Sequence, residues 1–227
     1  MPIFQLSDKL VFPPVALAEK DGLLAIGGDL SPERLLLAYQ NGIFPWYSEG
    51  DPILWWSPSP RLVIYPDEFK IPARLARLVR QKKFTLGMDK NFRQVITTCA
   101  TIGDRGKKGT WINREMIEAY CTLHAMGYAH SVECRREDQL AGGLYGIGLG
   151  GVFFGESMFS LQPNTSKIAL VALVQKLQEW KFDLIDCQMK TRHLMQFGAR
   201  EISGREFQKT LAQSLSKPTK KGKWEFV

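Results

Sequence analysis

The stretch AHSVECRREDQLAGGLYGIGLGGVFFGESMF, residues 129–159, decides the fold. Its apolar residues recur with a period of two, where the segments before it keep a helical period. AHSVECRR (129–136), LAGGLYGIG (140–148) and GVFFGESMF (151–159) therefore predict three strands joined by short turns into an antiparallel meander. Alternation puts Val152, Phe154, Glu156 and Met158 on one face of the last strand. Glu156 thus stands in the middle of a buried strand. A buried carboxylate whose partner is missing costs about 3–5 kcal/mol. Glu156 asks for a cation, from the protein or from a substrate.

Downstream, KIALVALVQKLQEW (167–180) predicts a helix whose first two turns are apolar nearly all round, and so buried. FDLIDCQM (182–189) predicts a further strand, with Leu184, Asp186, Gln188 and Lys190 on one face and Ile185 and Cys187 on the other. Asp186 and Gln188 then lie about 6–7 Å apart. An acid and an amide so placed suit an amine nucleophile. Pairing of Asp186 with Lys190 or with a neighbouring strand explains the same residue as well. FQKTLAQSL (207–215) predicts a short helix, and KPTKKGKWEFV (217–227) is a basic tail. Strands, then a buried helix, then a strand describe an α+β core, in the order of the acetyltransferase-like (GNAT-like) N-acyltransferase fold.

Upstream, LSPERLLLAYQNG predicts a helix capped by Ser31, with Pro32 in its first turn and Asn41-Gly42 as its stop. Residues 43–66 hold five prolines and three tryptophans, which predicts irregular chain ordered by aromatic rings. Its end near Pro66 is the expected boundary between a small N-terminal domain (1–66) and a catalytic domain (67–227). KIPARLARLVRQKK is amphipathic: Ile71, Leu75, Leu78 and Val79 share a face that Arg74, Arg77 and Arg80 avoid. That basic face, with Lys107 and Lys108 of the GDRGKKG loop, suits phosphates or simply solvent. Trp46, Trp55, Trp56 and Trp111 are either core or stacking surfaces for a base.

GIGLGG has the dinucleotide spacing at Gly146, Gly148 and Gly151, but a strand follows where a phosphate-binding helix is required, so it reads as a glycine-rich hairpin turn. The 227 residues are 44% hydrophobic and 23% charged, an ordinary globular composition. Four scattered cysteines and three histidines fit no metal spacing. No signal peptide or membrane span is evident, so a cytoplasmic protein is expected, away from membranes. The net charge of +7 favours a polyanionic partner only weakly.

GLLAIGGDLSPERLLLAYQNGIFPW, ILWWSPSPR, GTWI, EAYCTLHAMGYAHSVE, GGLYGIGLGGVFFGESMFS and LIDCQ, in this order, resemble the leucyl/phenylalanyl-tRNA–protein transferases from about Leu23 to Phe207. The resemblance implies an enzyme that moves Leu or Phe from aminoacyl-tRNA to an N-terminal Arg or Lys, marking the product for degradation. It implies a small N-terminal domain against an acetyltransferase-like one, no metal, and no coenzyme A or other cofactor; a monomer is expected. By motif, Trp46 and Trp111 look like the residues holding the terminal adenosine. Phe153 and Ile185, with Leu144, Leu170, Leu173 and Leu177, look like the pocket for the transferred side chain. Glu156, Asp186 and Gln188 match the catalytic group. Thr191 stands where relatives often have Asn, and Phe197 where a small residue is usual. An acyl-CoA N-acyltransferase and a non-catalytic tRNA-binding protein are the alternatives; the missing phosphate loop argues against the first.

Overall fold

A computed structural model describes residues 3–103 and 109–226. The chain runs β1 (Phe4–Leu6), β2 (Leu23–Gly27), α1 (Pro32–Gln40), β3 (Phe44–Pro45), β4 (Leu54–Trp56), β5 (Arg61–Ile64), α2 (Ala73–Arg80), β6 (Thr85–Met88), α3 (Phe92–Thr101) and α4 (Arg114–Ala125). It continues as β7 (Ala129–Arg136), β8 (Gln139–Leu149), β9 (Val152–Ser160), α5 (Thr165–Glu179), β10 (Leu184–Asp186), α6 (Arg192–Met195), β11 (Arg200–Ile202) and α7 (Gly204–Leu215). The helix ends follow their caps: Ser31 accepts from the Arg34 N–H and Asn113 from the Met116 N–H.

The strands form two sheets, one of four in the order β1-β2-β4-β3 and one of seven in the order β11-β5-β10-β9-β8-β7-β6. The meander expected over 129–159 is the middle of the larger sheet. The fold is the expected α+β one. Apolar residues alternate between two cores. On one face Phe154, Ile147 and Leu149 pack with α1, α3, α4 and α7. On the other Phe153, Leu144 and Ile185 pack with α2 and α5. The α5 helix is buried through its first turns, as its composition requires.

The proline-rich segment 43–66 is less irregular than its sequence reads. It contains β3, β4 and β5, each too short for a local pattern: β3 pairs with β4 inside the segment, while β4 and β5 are held by strands outside it. Although β5 precedes Pro66, it pairs with β10 and β11 in the larger sheet, so the chain passes from one sheet to the other between Trp56 and Arg61.

Gly146 and Gly148 lie inside β8 rather than in a hairpin turn; only Gly150 and Gly151 make the turn. Gly146 is bare because the sheet needs the space. A Cβ there would stand 2.1 Å from the Phe154 carbonyl oxygen and 2.6 Å from the Phe153 ring. Gly146→Ala should destabilise by about 1–3 kcal/mol, the usual result of overpacking; a urea melt would show it, and an unchanged midpoint would contradict it.

Candidate active site

The site begins where two parallel strands part. β10 pairs with β9 from Leu184↔Val152 to Asp186↔Phe154 and then stops. β9 pairs Gly155 with Gly146 and Ser157 with Tyr145, so Glu156 faces no residue of β8. It is a β-bulge, a device that re-aims a side chain. The bulge corrects the strict alternation expected from sequence: Met158 packs on the Phe153 side, opposite to Val152 and Phe154. The strand expected over 182–189 is likewise cut to three residues. Gln188 lies beyond it at φ 54°, in the left-handed region, so strand alternation does not govern its side chain. Across the gap the Gln188 amide donates to Glu156 Oε1 at 3.5 Å.

Among the described residues no cation forms an ion pair with Glu156, although the Arg61 charge reaches it at longer range. The Tyr39 hydroxyl of α1 lies 2.8 Å from its Oε1 and the Tyr120 hydroxyl of α4 3.2 Å from its Oε2, and the two hydroxyls also meet each other, so two phenolic protons are shared over three contacts. Burial pushes the Glu156 carboxyl up to about 7; the Tyr39 hydrogen bond opposes this and the Asp186 carboxylate adds to it. Both tyrosines are pushed well above their ordinary value, first by burial and then by Glu156, so they remain donors.

Asp186 is fully buried and its charge is matched within the protein. Arg61 of β5 donates from Nε to Oδ1 at 2.8 Å and from Nη2 to Oδ2 at 2.7 Å. The guanidinium lies between the rings of Phe44 and Phe207, 4.9 and 4.6 Å from their centroids. The Gln188 N–H donates to Asp186 Oδ1 at 2.9 Å, and the Gln188 carbonyl accepts from the Leu62 N–H at 3.1 Å. Asp186 thus holds the backbone of Gln188 rather than sharing a face with its amide. Lys190 pairs instead with Glu201, at 2.5 Å.

A cavity of about 340 Å³ opens beside this gap. Leu144, Phe153, Leu170, Leu173 and Ile185 line it, together with Trp111, Glu156 and Gln188. Leu177 does not: it is buried in the core behind them. A neighbouring groove of about 570 Å³ is lined by Trp46, Trp56 and Trp111. Trp46 is 38% exposed and meets Trp56 edge to face at 5.6 Å. Trp55 is core, its indole N–H bonded to the Gly27 carbonyl at 2.8 Å.

A sequence profile for the family described as leucyl/phenylalanyl-tRNA protein transferase matches residues 63–212, and one for that family's N-terminal domain matches residues 28–59. The chain belongs to the leucyl/phenylalanyl-tRNA protein transferase family. The transferase of Desulforapulum autotrophicum is 56% identical over 227 residues, covering all of this chain and 99% of that one. Those of Syntrophus aciditrophicus (55%, covering 99% of this chain and 94% of that one) and Myxococcus xanthus (52%, 99% and 97%) are similar too. Among solved structures there is remote likeness to L-PGS from Bacillus licheniformis (TM-score 0.43, 13% identical, covering 89% of this chain and 65% of that one). A GCN5-related N-acetyltransferase from Kribbella flavida is also alike (TM-score 0.36, 12% identical, 76% and 61%).

The chain is therefore an aminoacyltransferase. Tyr39, Tyr120 and Arg61 of this transferase escape the sequence reading as site residues. The tyrosines were open to inference, because each hydroxyl falls on the buried stripe of its helix and needs a partner there. Thr191 lines the cavity and caps α6. Phe197 is buried in the core, stacked on Phe69 at 5.3 Å. Arg74, Arg77 and Arg80 lie exposed on α2, while Lys107 and Lys108 fall outside the described residues. The cations of the basic tail are partly engaged: Lys217 pairs with Asp183, and Lys220 and Lys221 lie over Trp180 and Tyr128. Among the described residues no helix is long and apolar enough to cross a membrane.

Proposed function

We propose that this site moves leucine or phenylalanine from the 3′ end of aminoacyl-tRNA to the N-terminal arginine or lysine of an acceptor protein, which the new N-terminus marks for degradation. One observation carries the reading: Trp111 lines both the groove and the cavity. An adenosine stacked between Trp46 and Trp111 delivers its esterified side chain into the apolar cavity. The ester then lies near the mouth, where Glu156 and Gln188 face each other.

The donor ester is already activated, so the chemistry asks for no metal and no coenzyme A. The acceptor amine has a pKa of about 7.7–8.0, so roughly a tenth is neutral at pH 7. The site must select and aim that amine. A side-chain amide is scarcely basic, so the Gln188 oxygen orients the amine by accepting a hydrogen bond from it. Asp186 acts through Gln188, fixing its backbone. Glu156, its carboxyl pushed up to about 7 and with no ion-pair partner among the described residues, supplies the counter-charge for the acceptor's arginine or lysine once ionised. The vicinal hydroxyl of the adenosine is placed to relay a proton to the leaving oxygen.

The exposed Arg74, Arg77 and Arg80 of α2 serve the tRNA phosphates in this reading, which makes donor affinity fall as salt rises. The protein works as a cytoplasmic monomer. Trp111→Ala should raise the donor KM about 5- to 150-fold, the worth of one stacked base, and leave the acceptor KM unchanged. Equal donor KM values would remove Trp111 from the adenosine site.

The deciding experiment is transfer of labelled Leu and Phe, separately, from charged tRNA to a peptide beginning with Arg, with an Ala peptide as control. Transfer to the Arg peptide alone is expected. Binding of tRNA with no transfer would leave a binding protein, and thermal protection by acyl-CoA would point to an N-acyltransferase.

A further inference from the structure

The wall of the cavity at Phe153 rests on the segment that follows α7. Phe153 lines the cavity, and behind it stands Trp224, with ring centroids 6.0 Å apart. Trp224 is 1% exposed and does not itself reach the cavity. Its indole stacks flat on His130, centroids 3.6 Å apart, and meets Trp180 and Phe182 edge on. Its backbone N–H donates to Asp89 Oδ2 at 2.8 Å, the same oxygen that His130 Nδ1 meets at 2.8 Å. Burial holds His130 below its ordinary value, so a neutral ring backs the indole. Gly148 leaves room for this: a Cβ there would stand 2.9 Å from Trp224 Cζ2. Phe153 is therefore held between bare Gly146 on its own sheet and an indole from a segment that follows α7.

We propose that Trp224 is a positioning residue for specificity: it fixes how deep the aminoacyl pocket is by holding Phe153 forward. The inference rests on the reading of the cavity as the pocket for the transferred side chain. Interiors relax only partly when a large side chain is removed, and the space left goes to whichever neighbour can move. Phe153 is that neighbour on the cavity side. With the indole gone the ring can retreat, and the pocket gains depth that a phenylalanyl side chain uses and a leucyl one does not.

The test is a competition between leucyl- and phenylalanyl-tRNA for an Arg peptide, read as the ratio of the two products. Trp224→Leu should raise the Phe-to-Leu ratio about 3- to 10-fold, within the range that small volume changes in an apolar pocket produce. Trp224→Phe, which keeps a ring and the fold, should raise it less. A purely structural role lowers both rates together and leaves the ratio alone. An unchanged or lowered ratio in both variants overturns the proposal. Phe153→Leu separates the two levels: a ratio unmoved by that change means the cavity is not the side-chain pocket, whatever Trp224 does.

Discussion

Arg61→Met is expected to destabilise the protein by about 3–5 kcal/mol, because it strands the Asp186 carboxylate in the core. For a chain of this length that is a fall in Tm of about 6–20 °C. It is also expected to abolish transfer, because Asp186, freed from its two guanidinium bonds, no longer holds the Gln188 backbone in place. The two losses have different origins, and a second substitution separates them. In Arg61→Met/Asp186→Leu the buried pair becomes two apolar side chains, a change that is often neutral for stability. The double variant should regain most of the lost Tm. It should not regain turnover, since the Gln188 backbone, at φ 54°, keeps the bond from the Leu62 N–H to its carbonyl but loses the acceptor that fixes its own N–H. Thermal melts and single-turnover transfer rates on the four proteins of the cycle decide the matter. A double variant that recovers both stability and turnover would sink the positioning role of Asp186.

Glu156→Gln should raise the acceptor KM about 10- to 150-fold, the worth of a charge-assisted hydrogen bond of roughly 1.5–3 kcal/mol. The donor KM should stay as it is. The pH dependence carries its own signature. The carboxyl is pushed up to about 7, so it becomes the acceptor's counter-charge only as the pH rises through that value. Acceptor kcat/KM for the parent enzyme should therefore climb between about pH 6 and 8 more steeply than the amine's own titration requires. The variant should show the amine's titration alone. Stability moves the other way. An acid whose pKa is raised on folding favours the folded state while protonated, and that advantage is lost as the pH climbs from about 4.5 to about 7. Glu156→Gln should thus match the parent near pH 4 and be the more stable protein at pH 8. Loss of kcat with an unchanged acceptor KM would instead make Glu156 the proton acceptor.

Much of this architecture is legible in the sequence where the determinants are local. The period-two run over 129–159 gives three strands, and the all-round apolar start of α5 gives its burial. Ser31 gives a helix start. The cavity-lining Leu144, Phe153, Leu170, Leu173 and Ile185 follow from motif, while Leu177, at the same helical spacing as Leu170 and Leu173, lies in the core. What is not legible is set by partners distant in the chain. β5 is a strand because β10 and β11 flank it, 120 or more residues away. The ion pair of Asp186 requires knowing where Arg61 lands. The two tyrosines meet Glu156 from separate helices, 36 and 117 residues from it. The Gly-Glu-Ser break in the apolar run did mark something unusual at Glu156. A single strand, however, cannot say whether such a break is a bulge or a face exposed to solvent.

The bulge at residue 156 also says something about how this gene can change. A strand residue is ordinarily among the hardest to delete, since losing one turns every following side chain to the wrong face. Here the ladder already runs from Gly155 to Ser157 against two successive residues of β8. Removing the codon for Glu156 would leave Met158 and Phe159 opposite the residues they now face, with one irregularity fewer. The sheet has no use for the residue, and its presence is explained by the site alone. A lineage that abandoned the reaction could shed it in one step and keep the fold.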